Sequence, residues 1–319
     1  MKGSVPLIVG AVLLFLLGAV IVAGVVVAAQ SGSSTVSATP ATPVAARFPA
    51  PPKGAVVFAR QDDGDALALA VRPAGKKLEL QASVVGRQGT GVPGLSVSFR
   101  VQPGSKAPLR ATVCGAGCYR ATAPMPSRPR AITVEVARRG RKTVWRVPIE
   151  TWPPRPATPL VTRAEKAWRH LRSFEFSEHL ASDASGGIES AWRVVAPDRL
   201  EYEIEGSDSA GVVIGNRRWD RQGGKWKESQ QAPLDLPQPT WQSGVSNAHV
   251  LGAGVAAGKP ITRLSFYDST GRAWFEIGVD KKTARTLDLH MVTTAHFMRQ
   301  KFSGFNAPIV IRPPVNGAG

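Results

Sequence analysis

The chain has 319 residues, 43% of them hydrophobic, and its Lys and Arg outnumber Asp and Glu by 40 to 23, a formal net charge of +17. That length and apolar content exclude a disordered chain or a single small domain, and they suit about two packed domains behind a targeting segment. Nucleic acid is the usual partner of so basic a chain, but the first thirty residues place the bulk of it in a compartment where nucleic acid is not expected.

Pro6 to Ala29 is a run of 24 residues without a charged, Asn or Gln side chain. A helix rising about 1.5 Å per residue over such a run crosses a hydrocarbon core about 30 Å thick. Met1 to Val5 precede it, with the amino terminus and Lys2 as the positive flank. The positive flank stays in the cytoplasm, which makes residues 1–29 a single-pass signal-anchor and sends the rest of the chain outside the cell membrane. Val27-Ala28-Ala29 also fits a small-residue cleavage site, so a removed signal peptide is the alternative. No Cys stands directly after the run, which excludes a lipid-modified N-terminus there. Residues 30–54, rich in Ser, Thr, Ala and Pro without a hydrophobic period, read as a disordered spacer.

Residues 55–150 read as an all-β domain. Apolar runs of strand length recur between turn residues at Ala55–Ala59, Leu67–Val71, Leu78–Val85, Leu95–Val101, Leu109–Val113, Tyr119–Thr122, Ile132–Val136 and Val144–Ile149. Short strands at this spacing predict a β-sandwich. This region holds 16 basic and 6 acidic side chains, against 20 and 17 in residues 160–315. The positive charge is therefore concentrated in the first domain, where it would attract anionic lipid headgroups or an anionic wall polymer, unless it is a basic surface with no specific partner. Cys114 and Cys118 are the two cysteines of the chain. Outside the membrane a disulfide is the expected state of such a pair. It would pin the hairpin between the fifth and sixth strands and add little to global stability, because loop-closure entropy grows with loop length.

Four prolines in Thr151–Leu160 mark a Pro-rich linker, 151–160, and a second domain over 161–314, with a tail at 315–319. Thr162 with Glu165 three residues on fits a capping box. Ala164, Ala167, Trp168 and Leu171 then form one apolar helical face. A meander follows. Phe174 and Phe176 alternate with Glu175, Trp192 and Val194 with Arg193, and Leu200 to Glu205 alternates perfectly. Val212–Ile214, Arg217–Asp220 and Lys225–Glu228 read as further strands, with a turn at Gly223-Gly224. Ala232–Gly258 breaks the rhythm and reads as a lid-like loop with a short helical piece. Strands resume at Ile261–Tyr267, Arg272–Val279 and Thr283–Phe297. One helix against a long antiparallel meander is an α+β design. By strand parity the inward positions are Trp192, Val194, Tyr202, Ile204, Val212, Ile214, Leu264, Phe266, Phe275, Ile277, Leu287, Leu289 and Met291, facing Trp168 of the helix. They line either an ordinary filled core or the wall of an apolar ligand cavity.

Two resemblances sharpen these expectations. "LxLxASVVGRQGTGVPGLSVSFRV" followed by "CGAGCYRA", within about residues 67–149, resembles the immunoglobulin-like extracytoplasmic domain of bacterial copper-export membrane proteins and related FixH/YtkA-type domains. That resemblance implies an immunoglobulin-like sandwich and copper handling. Cu(I) favours sulfur ligands, and only Cys114, Cys118 and Met125 could supply them. "VVAPDRLEYEIEG", "VVIGNRRWDRQGGKW" and "WFEIGVDKKTARTLDLHM…FSGFNAPIVIRPP", within about residues 161–313, resemble the lipoprotein-carrier family typified by LolA and LppX. That resemblance implies a half-barrel sheet wrapped round a helical layer, and binding of a lipid or acylated ligand without catalysis.

Motifs for chemistry fail. Gly252 to Ala257 has the spacing of a dinucleotide fingerprint, but Pro260 follows where its helix should run. Neither HExxH nor GxSxG occurs, and the five His show no metal spacing. Glu201, Glu203 and Glu205 on one strand face read as a solvated surface. No nucleophile, base and orienter are in evidence, so neither an enzyme nor a cofactor is expected. The expected function is non-catalytic holding of an apolar ligand by a membrane-anchored envelope protein, with Ala232–Gly258 gating the mouth. A copper-handling accessory and a sensor or interaction module for a membrane partner are the alternatives.

Overall fold

The computed structural model describes residues 49–314, apart from 62–64, 87–89, 106, 139, 182–186, 242–243 and 295. The expected anchor over 6–29, the spacer as far as residue 48 and the tail 315–319 lie outside the described residues. Among the described residues no helix is long and apolar enough to cross a membrane. The described fold is mostly β-sheet with one helix.

The first nine strands are β1 (Val56–Gln61), β2 (Ala66–Ala74), β3 (Lys77–Val85), β4 (Ser96–Gln102), β5 (Leu109–Arg110), β6 (Thr112–Gly115), β7 (Cys118–Pro124), β8 (Ala131–Arg138) and β9 (Arg141–Pro148). They form a five-stranded sheet, β1-β2-β3-β7-β6, and a four-stranded sheet, β5-β4-β8-β9. Alternate apolar positions of both sheets, among them Phe58, Leu69, Leu80, Phe99, Val134 and Trp145, share one core, so the two sheets stack as a sandwich. The run Leu109–Val113, expected as one strand, divides at Ala111. Its first half pairs with β4 and its second with β7, so the chain crosses there from one layer to the other.

Cys114 and Cys118 form a disulfide across the β6–β7 hairpin, with their Cα atoms 5.0 Å apart. Their sulfurs are bonded to each other and are not free thiolates for a metal. The hairpin tip lies against Gly91. A Cβ on Gly117, whose φ is +63°, would stand 2.5 Å from the Gly91 Cα, so both positions need glycine for this backbone crossing. Tyr119 buttresses it, donating its hydroxyl to the Val92 carbonyl at 2.7 Å.

The rest of the chain forms β10 (Arg155–Pro156), helix α1 (Thr158–Arg169), β11 (Ser173–Ala181), β12 (Ile188–Val195), β13 (Arg199–Ile204), β14 (Ala210–Ile214), β15 (Arg217–Gln222), β16 (Lys225–Gln230), β17 (Val245–Ala256), β18 (Lys259–Asp268), β19 (Ala273–Asp280), β20 (Thr286–Thr293) and β21 (His296–Ser303). The strands make one antiparallel sheet of twelve, ordered β10-β17-β18-β19-β20-β21-β11-β12-β13-β14-β15-β16.

Three local expectations are corrected. The helix begins at Thr158, with Pro159 in its first turn where a missing N–H costs nothing. Thr162 is inside it, its hydroxyl donating to the Thr158 carbonyl at 3.1 Å, and is not the cap. Residues 245–256 form a strand and not a loop with a helical piece. A run of Ala, Gly and Val has no polar alternation to reveal its pleat. The stretch 283–297 is two strands, so His290 and His296 stand on different ones.

The large sheet is strongly curved. Side chains from β17 across to β14, nine strands by sheet order, share one core beneath α1. Nine flat strands would span about 38 Å at the usual spacing, whereas a helix of this length reaches only about 18 Å. Register shifts at Ser246/His249 and Val250/Gly252 in β17, and at Gly278/Val279 in β19, help the sheet bend.

The sandwich is fixed to the convex back of this sheet. In β2 the order Ala66-Leu67-Ala68-Leu69-Ala70 sends leucines into the sandwich and alanines the other way. The alanine face, with Val57 and Ala59 of the neighbouring strand and Ala55 just before it, packs on Tyr267, Trp274, Val292 and Phe297 of the large sheet. Small residues on one side admit bulky rings from the other. Polar links frame the contact. Asn247 donates to the Pro52 carbonyl at 2.9 Å and accepts from the Gly54 N–H at 3.1 Å. Glu276, inside the contact, accepts from the Ala59 N–H at 2.8 Å and pairs with Arg60. The layers thus run from the four-stranded sheet to the five-stranded sheet, the large sheet and finally α1.

Candidate ligand-binding face

The concave face of the large sheet is closed by two pieces. One is α1, which buries Val161, Ala164 and Trp168 on a single stripe. The other is the extended segment 231–241, rich in proline, which inserts Leu234 and Trp241 into the same core. Arg169 at the end of the helix donates to Gln238 of that segment at 2.6 Å and so ties the two together.

Ten of the predicted inward residues meet in this core: Trp168, Trp192, Val194, Tyr202, Leu264, Phe266, Phe275, Ile277, Leu289 and Met291. Ile204 packs at its margin. Val212 and Ile214 do not belong to it. They lie on the opposite face of the sheet with Trp219 and Ile311. The inward residue of β14 is Val213, because Leu200 pairs with Val213 and Tyr202 with Gly211. Gly211 is what permits that register: a Cβ there would stand 2.2 Å from the Tyr202 ring. Leu287 is buried but outside the cluster, beside the bulge where β20 slips against β19.

The aromatic rings of the face are organised about two indoles. Trp168 meets Phe302 edge-on at 4.8 Å, Phe174 at 5.1 Å and Trp241 at 6.2 Å. Trp241 meets Phe266 at 5.4 Å. Along the sheet Phe176 stacks on Trp192 at 5.4 Å, and Trp192 on Tyr202 at 4.7 Å. Trp168 and Trp241 occupy the centre of the space between helix and sheet, and each is at most 3% exposed. Their indole N–H groups are buried without a hydrogen-bond partner among the described residues. An unsatisfied buried donor costs about 1–3 kcal/mol. An open cleft of about 280 Å³ lies elsewhere, at the end of the sandwich between Val92, Leu95, Val136 and the exposed Arg138 and Arg141.

The same face holds a carboxyl that the parity argument passed over. Glu178 stands on β11 at the inward parity of Phe174, Phe176 and Leu180, and is 1% exposed. Gln300 of β21 donates to its Oε2 at 2.7 Å, and Thr240 of the covering segment donates to Gln300 Oε1 at 3.0 Å. The sequence signal was a polar residue at an apolar parity on two strands, Phe176-x-Glu178-x-Leu180 and Met298-x-Gln300-x-Phe302. Burial pushes the Glu178 carboxyl from 4.5 up to about 7, against the opposing effect of the Gln300 hydrogen bond.

The raised value fixes a pH dependence. Between about pH 4.5 and 7 the unfolded chain releases a proton that the folded chain retains. The stabilisation is complete below the unfolded value and is lost as pH rises through the folded one. Relative to Glu178→Gln, the native protein is expected to lose about 3 kcal/mol of unfolding free energy over that range. Urea unfolding of both proteins at pH 4.5 and 7.5 tests this, and parallel profiles would refute it.

No protein-family profile matches the chain, and no curated protein does. Solved structures to which it is similar include lipoprotein LppX of Mycobacterium tuberculosis, at 14% identity and a TM-score of 0.40 over 48% of this chain and 97% of that one. LprF of Mycobacterium bovis is similar at 12% identity and a TM-score of 0.38, over 50% and 96% of the two chains. A LolA superfamily protein of Nitrosomonas europaea follows at 8% identity and a TM-score of 0.26, over 49% and 95%. These scores are low.

Proposed function

We propose that the chain is a membrane-anchored, non-catalytic envelope protein that holds a lipid or other apolar ligand between α1, the segment 231–241 and the concave face of its large sheet. The observation that carries this reading is the make-up of that face. Its aromatic core is roofed in part by an irregular proline-rich segment, and its two central indoles have N–H groups without partners. Lifting Leu234 and Trp241 away would open an apolar cleft lined by Trp168 and the rings of β11, β12, β18 and β19, the usual make-up of a small-molecule site. Residues 6–29 anchor the chain in this reading. The exposed Arg100, Arg110 and Arg146 on the outer face of the four-stranded sheet offer positive charge to an anionic lipid or wall polymer.

The test is extraction of the full chain, purified in a detergent-free amphipathic polymer, with organic solvent and mass spectrometry of the extract. The control is residues 1–48 fused to an unrelated domain, which carries the same annular lipid. An apolar molecule near one per chain, absent from the control, is expected. Leu289→Arg, at a fully buried position of the face, is expected to lose it. Equal extracts from native chain and control, with no uptake of added lipid, would overturn the reading.

A further inference from the structure

One row of the concave face is polar. Gln300, Glu178 and Ser190 are register partners on the adjacent strands β21, β11 and β12, and each is at most 3% exposed. The row on one side is Phe302, Phe176 and Trp192. The row on the other begins with Met298 and Leu180. The polar row is therefore a band inside an otherwise aliphatic and aromatic face. Resting on the reading above, we propose that this band is a subsite for a hydroxyl group carried by the ligand, so that the protein selects hydroxyl-bearing apolar molecules over plain hydrocarbon.

The hydrogen-bonding inventory supports that chemistry. Gln300 gives its amide N–H to Glu178 and takes a hydroxyl proton on Oε1. The donor of that proton is Thr240, one residue before Trp241 on the covering segment. The cover thus places its own hydroxyl on the polar row. When Trp241 lifts, Thr240 leaves with it and Gln300 Oε1 loses its partner inside an apolar face. A hydroxyl on the incoming ligand restores that bond, whereas a methylene cannot. Ser190 accepts the Trp192 indole N–H at 2.8 Å, and its hydroxyl is a donor as well as an acceptor. The band therefore offers acceptors and donors on neighbouring strands, and a hydroxyl is the smallest group that matches both. The indole N–H of Trp168, which stays on the helix when the cover lifts and has no partner among the described residues, is a further donor in the same core for an acceptor oxygen. The specificity follows from the cost of the mismatched case, in which buried polar groups are left unpaired.

Tryptophan fluorescence of the full chain in amphipathic polymer reads the test, because brominated chains quench indoles on contact. The probes are 9,10-dibromooctadecan-1-ol and the matched hydrocarbon 9,10-dibromooctadecane. The alcohol is expected to bind about tenfold more tightly, the effect of one buried hydrogen bond. In Glu178→Leu/Gln300→Leu that preference should vanish while hydrocarbon binding persists or improves. Thr240→Val, which removes the competing hydroxyl with almost no change of shape, should tighten the alcohol more than the hydrocarbon and keeps the test open if the double variant fails to fold. Equal affinity of the two probes for the native chain, or an unchanged ratio in the variants, overturns the hydroxyl subsite and leaves the apolar-ligand reading standing. Quenching by neither probe overturns both.

Discussion

Arg60→Ala is expected to lower the unfolding free energy by about 3–5 kcal/mol, the usual effect of removing one partner from a buried ion pair. Its partner Glu276 is enclosed between the two layers, with only 5% of its side chain exposed. Burial pushes that carboxyl above its ordinary range, and Arg60 with the Ala59 N–H opposes the shift. Without the guanidinium, the Ala59 N–H and the weaker influence of the Arg263 charge are what remain to support the carboxylate among the described residues. The neighbouring His290, register partner of Glu276, adds no charge to the native pair. In the native protein burial drives its pKa down to about 4, with Arg60 among the charges that add to the shift, so there it is neutral at ordinary pH. Replacing both partners, as Arg60→Met/Glu276→Leu, should recover most of the loss, because two matched apolar groups leave nothing unsatisfied. Chemical denaturation of the three variants decides the matter. A loss below about 1 kcal/mol for Arg60→Ala would mean that water reaches Glu276 and that the pair behaves as a surface one.

Trp168→Ala should cost about as much, roughly 3–5 kcal/mol for an excised buried aromatic, but with a different distribution. Trp168 is the side chain by which α1 grips the sheet, through Phe302 and Phe174, and the covering segment, through Trp241. The other buried residues of the helix are only Val161 and Ala164. Hydrogen exchange is therefore expected to speed up first in α1 and in segment 231–241, while β18 to β21 keep their protection. Uniform acceleration across the large sheet would show that helix and sheet unfold as one unit and that the roof has no independent opening.

Much of the architecture is legible in the sequence because the pleat writes it there. Leu200 to Glu205 alternates apolar and charged, and its strand was read at nearly its true bounds. The same rule failed where both faces of a strand are apolar. Val212, Val213 and Ile214 give parity nothing to choose between, since the outer face of β14 is covered by Ile311 of the closing segment. Ala66 to Val71 hid its second contact for the same reason, as nothing polar marked a free side. A run that alternates large and small apolar residues is a sign of a strand enclosed on both faces. Glu178 and Gln300 were missed because they interrupt an apolar parity, and an interruption reads as noise until the two strands are seen to be neighbours. The covering segment was legible only as a break in rhythm, and its role depends on where Trp241 points.

The alanine-faced junction has a mechanical consequence. A curved sheet standing alone can flatten or tighten to suit its contents. Here a second domain is bonded along its back, with Trp274 and Phe297 keyed into alanines and Glu276 clamped by Arg60. Under the proposed function the sandwich acts as a splint, and the radius of the trough is set before a ligand enters it. All of the give must then come from the roof. The capacity of the site is limited by how far one twelve-residue helix and a proline-stiffened strap can rise, so the protein should discriminate among guests by thickness more sharply than by length.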